Sequence, residues 1–333
     1  MGAASRAAPP RYRDRCYGCP MNQPKAGPLH RVPWRGIVVF YVLACALAWV
    51  AVLPLWLSGH GLHTPGATGF MVVMMFAPGV SAFLVTRLLQ KQRLRDAVRG
   101  LGLWPIRPIR RTAWFSVVGI FGAMLVVVVG VFLAAELRLI RLDLVGFSGF
   151  EKTLPAGSRS PISVPVQALV VVQIFILPLA AVFNALVTIG EEVGWRGWLL
   201  PALRPLGDWP ALLISGALWG LWHTPVILLG YNFDQPNLFG LVLMTVGCTL
   251  FGVLIGWLRL RSGSVWPAAL AHGGFNAAAG FSLLVAAADS PHDPVAVSPV
   301  GWVTWIVMVT TIVALTLSGQ IRAAAQGESS AIG

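Results

Sequence analysis

The sequence predicts an all-α polytopic membrane protein, with eight transmembrane helices and both termini cytoplasmic. Three observations predict it. Of 333 residues, 56% are hydrophobic and only 11% charged, where a soluble domain carries about a quarter charged. The mean hydropathy is +0.75, and several uncharged stretches reach the ~18 residues that mark a span candidate. The basic residues, finally, cluster at the borders of those stretches.

That clustering explains the net charge of +12. Seven of the 24 Lys/Arg precede the first apolar run, from Arg6 to Arg35, and eight more fall between Arg87 and Arg111. The positive-inside rule and anionic headgroups predict this distribution. The lipid bilayer is therefore the expected partner, and nucleic acid is not.

Residues 1–35 read as a basic, Pro- and Gly-rich cytoplasmic arm, expected to be disordered and lacking a cleavable signal pattern. Met21 is a second candidate start. Cys16-Tyr-Gly-Cys19 has CxxC spacing, but no second ligand pair lies nearby to complete a zinc site. Cys45 and Cys248 sit in apolar runs as small buried residues.

The transmembrane domain is expected over 36–318, with a protease-like core at 165–287 and a cytoplasmic tail at 319–333. Its spans read as about Gly36–Leu57, Phe70–Leu89, Ala113–Glu136, Pro165 to about Leu203, Trp209–Gly230, Asn237–Leu260, Gly263–Ala287 and Val300–Ser318. Between the second and third, Gln90–Leu103 places Leu94, Val98 and Leu101 at helical spacing, which predicts an interfacial amphipathic helix. The connections Ser58–Thr68, Tyr231–Pro236 and Ala288–Pro299 hold no Lys or Arg and are expected outside. Only the Leu137–Val164 loop is mixed in charge. No inverted repeat of the transporter kind is visible. The expected setting is a bacterial plasma membrane.

Ionisable groups inside spans are costly and mark functional candidates. Three clusters qualify: Gly190-Glu191-Glu192-Val193-Gly194-Trp195-Arg196, Trp219-Gly220-Leu221-Trp222-His223-Thr224-Pro225, and His272-Gly273-Gly274-Phe275-Asn276. Adjacent carboxylates on a helix project ~100° apart. Glu192 and Arg196 are i and i+4, so they can pair and leave Glu191 free. Pro225 should open the backbone hydrogen bonding near His223. His272 and Asn276 again share a helix face. Singly, each cluster also suits a salt bridge or packing. Counted from the assumed inner helix ends, however, Glu191, His223 and His272 lie roughly 18, 21 and 14 Å deep. In a hydrocarbon core ~30 Å thick, that is one shared level.

A carboxylate in a low-dielectric cavity can take a proton from water, and imidazole and amide groups can stabilise an oxyanion. Alternatively, His223, His272 and Glu191 could ligate a divalent metal such as zinc, leaving a position for water. The sequence leaves both arrangements open. It contains no HExxH and no intramembrane aspartate pair. Ser81, in Gly79-Val80-Ser81-Ala82, reads as helix packing.

Glu-Glu-x-x-x-Arg, aromatic-x-x-x-His and His-x-x-x-Asn, in this order, resemble the CPBP intramembrane proteases, the type II CAAX endopeptidase and Abi bacteriocin-immunity family. The motifs span Glu191–Asn276, and the eight-span layout is similar. The resemblance implies Glu191 as the water-activating base, with Glu192 and Arg196 as its structural support. It implies that His223, His272 and Asn276 bind a metal or polarise the scissile carbonyl. Trp219 stands where the family often has Phe. The implied activity is endopeptidase cleavage of a membrane-associated or CAAX-like peptide, from a site opening to the cytoplasmic side. A non-catalytic immunity or adaptor protein and a proton or ion transporter are the alternatives.

Overall fold

A computed structural model describes residues 31–154 and 164–321. The Cys16/Cys19 pair, most of the expected arm and most of the tail lie outside the described residues. Among the described residues, seven helical runs are long and apolar enough to cross a membrane. They are α1 (Trp34–Leu57), α2 (Ala67–Leu89), α3 (Ile109–Glu136), α4 (Val166–Leu206), α6 (Leu238–Ser262), α7 (Trp266–Val285) and α8 (Pro294–Leu317). The remaining expected span is divided: α5 covers Asp208–Trp222, and a separate turn covers Thr224–Ile227.

The division has a local cause. Pro225 has no N–H to donate, and its ring crowds the carbonyl of the preceding turn. The Leu221 carbonyl is satisfied by the Thr224 hydroxyl instead. His223 N–H reaches back only three residues, to the Gly220 carbonyl at 3.1 Å. The Trp56 indole then ties the break to α1 by donating to the Pro225 carbonyl at 3.0 Å.

Although α5 has only 15 residues, it and the turn after it follow most of the length of α6. Close antiparallel approach requires glycine here. A Cβ on Gly220 would lie 2.4 Å from Thr245 Cα, and one on Gly216 would lie 2.7 Å from Thr249 Cα. Helix α7 packs against both α3 and α4. A buried Thr188 hydroxyl on α4 donates to the Ala269 carbonyl of α7 at 2.9 Å.

Two expectations change at the borders. Helix α1 begins at Trp34, two residues inside the expected arm. The Gln90–Leu103 segment is helical only over Leu94–Gly100. Its apolar stripe is divided as well, because Leu101 is buried while Leu94 is 54% exposed. The segment is anchored through its end. The Ser264 hydroxyl donates to the Gly102 carbonyl at 3.1 Å, and the Trp266 indole donates to the Leu103 carbonyl at 3.1 Å. At the opposite end, the mixed-charge loop is structured where described. Asp143 Oδ1 accepts from Gly146 N–H at 2.7 Å and Oδ2 from Ser148 N–H at 3.1 Å. Exposed Arg141 pairs with Asp289 at 2.9 Å.

Candidate active site

Glu191 and Glu192 close the α-helical part of α4, immediately before a π-helical stretch, Val193–Leu199. Such wide turns recur at functional sites because they redirect side chains within a helix. Both carboxylates are removed from solvent, with relative exposures of 2% and 0%. Neighbours on a helix diverge by ~100°, and these two enter different surroundings.

Glu192 is held by cationic and imidazole donors. Its Oε1 accepts from Arg196 Nη1 at 3.0 Å and from His272 Nδ1 at 2.9 Å. The expected i,i+4 ion pair is thus present and fully buried. The Arg196 guanidinium also lies over the Trp219 ring, 4.2 Å from its centroid, a distance at which cation–π attraction operates.

Glu191 turns towards α5. Its Oε2 accepts from the Trp219 indole N–H at 2.6 Å. Its other oxygen has no hydrogen-bond partner among the described residues. The sequence marked Trp219 only as a departure from Phe and missed this contact. Its position four residues before His223, on one helix face, was the available signal.

The imidazoles are oriented by what their Nδ1 atoms meet. His223 Nδ1 lies 2.9 Å from the Trp219 carbonyl, which can only accept. His272 Nδ1 lies against the Glu192 carboxylate. Both rings therefore carry the proton on Nδ1, and in a neutral ring Nε2 keeps its lone pair. Either Nε2 can donate to an oxyanion only from a protonated ring. Asn276 can donate without that condition.

These groups share one cavity of about 160 Å³, lined by Glu191, Trp219, His223, Cys248, His272 and Asn276. Its walls continue to Met71, Tyr231, Asn232 and Pro299. Asn276, on the same face of α7 as His272, is exposed. Nothing from the Arg87–Arg111 stretch or from Arg259–Trp266 lines the cavity. The lining instead extends to Tyr231, Asn232, Pro299 and Val300, in or beside the connections at 231–236 and 288–299. Fully buried Trp195, Leu199 and Leu203 pack the turn beyond the glutamates. Arg259 Nε donates to the Arg196 carbonyl at 3.1 Å from the same side.

A zinc site needs at least three protein donors converging on one point. The two Nε2 atoms, each fixed through Nδ1, are of the type that ligates zinc. A third donor is not brought to them: among the described residues, no three His, Cys, Asp or Glu side chains are grouped to hold an ion. As they stand, His223, His272 and Glu191 do not fit a three-ligand site.

Comparison with known proteins adds an independent line. Residues 172–278 match the family model described as type II CAAX prenyl endopeptidase Rce1-like. The chain is also 30% identical over 95 residues to a protein named CAAX prenyl protease 2 from Methanococcus maripaludis. That alignment covers 27% of this chain and 32% of the relative, so the chain spans about a third of the length of the curated relative it matches. The matched segment contains all seven residues that the three motifs specify, and the helical core that carries them is similar to the Rce1-like type II CAAX prenyl endopeptidases.

Proposed function

We propose that this protein is an intramembrane endopeptidase in which Glu191 activates water, acting on a membrane-associated or CAAX-like peptide in a bacterial plasma membrane. One observation carries this reading. A buried carboxylate has one oxygen held and the other free, in a cavity that two oriented imidazoles and an amide also line. The name of the archaeal relative supports the substrate class.

The step follows from the donors and acceptors present. Glu191 takes a proton from water, and the hydroxide oxygen adds to the scissile carbonyl carbon. The carbonyl oxygen becomes an oxyanion, facing the Asn276 amide and whichever imidazole is protonated. The proton on Glu191 then passes to the leaving nitrogen, and the C–N bond breaks. Glu192 and Arg196 touch no reacting atom in this scheme. Glu192, itself held by Arg196, fixes His272 through its Nδ1.

The direct test is Glu191→Gln in liposomes, with an internally quenched, farnesylated CAAX peptide as probe. Turnover is expected to fall by about 10²–10⁴-fold while insertion and melting temperature hold. Unchanged turnover overturns the assignment. Full biological activity from the variant would instead indicate an adaptor, and ion flux without cleavage a transporter. Metal analysis of active protein beside His223→Ala tests the mechanism. One equivalent bound and lost on mutation would replace the metal-independent scheme.

A further inference from the structure

We infer that Trp219 is a positioning residue that fixes Glu191 and His223 in one geometry, a role that rests on the water-activating assignment of Glu191. Four contacts converge on this side chain and its peptide. The indole N–H donates to Glu191 Oε2 at 2.6 Å. The main-chain carbonyl accepts from His223 Nδ1 at 2.9 Å. The ring lies beneath Arg196, 4.2 Å from the guanidinium carbon. It meets the His272 ring in a T-shaped arrangement at a centroid separation of 5.2 Å.

The physical consequence lies in the carboxylate. A glutamate side chain has three rotatable bonds, and a free one samples several rotamers. Holding Oε2 by a charge-assisted hydrogen bond restricts that motion and leaves Oε1 as the basic atom. The donor is buried, with the Trp219 ring against Phe251 at a centroid separation of 6.2 Å. The bond that places Glu191 and the bond that sets the His223 tautomer therefore start from one residue. Moving Trp219 would disturb base and imidazole together.

Phenylalanine at this position would keep much of the ring packing and lose the N–H, which makes Trp219→Phe the discriminating variant. With the farnesylated CAAX peptide in liposomes, kcat should fall about ten- to hundredfold, the worth of a hydrogen bond to a charged group. KM should stay within about twofold. Trp219→His, which returns a ring N–H, should recover part of the rate. A Trp219→Phe enzyme with wild-type kcat overturns the inference.

A readout without turnover separates this from the failure of the endopeptidase assignment. The infrared difference between wild type and Glu191→Gln identifies the Glu191 carboxyl band, which Trp219→Phe should displace. If the wild type cleaves no peptide, the endopeptidase assignment fails. An undisplaced band overturns the Trp219 contact itself, whatever the activity.

Discussion

The two faces of the glutamate pair are built on opposite plans. Towards the basic end, Glu192 is bound to Arg196 and His272, and Trp195, Leu199 and Leu203 fill the surrounding space. Glu192 Oε2 is enclosed without a partner, whereas Glu191, towards residues 231–236 and 288–299, borders a cavity with the oxygen that has no hydrogen-bond partner among the described residues. Adjacent residues of one helix thus divide the work. One face supplies rigidity and the other supplies room for water and a substrate, and a preorganised catalytic site requires both.

Breaking the rigid face should be the costliest change to stability. Arg196→Ala leaves the Glu192 carboxylate buried with only an imidazole, and losing one partner of a buried pair costs about 3–5 kcal/mol. Thermal melting in detergent should show that loss, and an unchanged melt would mean water or lipid reaches Glu192. Gly194→Ala attacks the same face through its backbone. The added methyl would sit 2.4 Å from Pro78 Cβ and 2.6 Å from its carbonyl carbon. Overpacking of this kind costs about 1–3 kcal/mol. Because Gly194 does not line the cavity, KM for the peptide probe should be less affected than the melt.

A smaller effect is expected at the opposite end, at Asp143. The Ser148 hydroxyl, together with backbone N–H donors from Gly146, Ser148 and Val145, holds its carboxyl well below the ordinary range. A folded-state value below the unfolded one contributes stability above the ordinary carboxylate range, lost as pH falls through the folded value. Asp143→Asn at neutral pH should therefore speed hydrogen exchange over residues 143–148 and leave turnover unchanged. Loss of turnover would link this loop to the cavity.

Much of the fold was legible because lipid imposes a simple rule: spans must be long, apolar and helical to satisfy their own backbone. Most helix borders accordingly fall within a few residues of expectation. Pro225 foretold the irregularity at His223. Its extent was not legible, since whether a proline kinks or divides a helix depends on neighbours such as Trp56.

Within the site, local spacing sufficed for local contacts. The Glu192–Arg196 pair and the shared face of His272 and Asn276 follow from i,i+4 geometry alone. Contacts between distant segments did not. Nothing in the order of residues says that His272 binds Glu192 rather than Glu191, or that the Trp219 indole reaches Glu191. Nor does composition reveal which end a cavity faces. The sequence by itself determined a helical membrane protein with carboxylates, imidazoles and an amide at one level. Tertiary packing alone decided their partners and the direction of the cavity, because those depend on helix rotation and crossing, which a one-dimensional pattern does not encode.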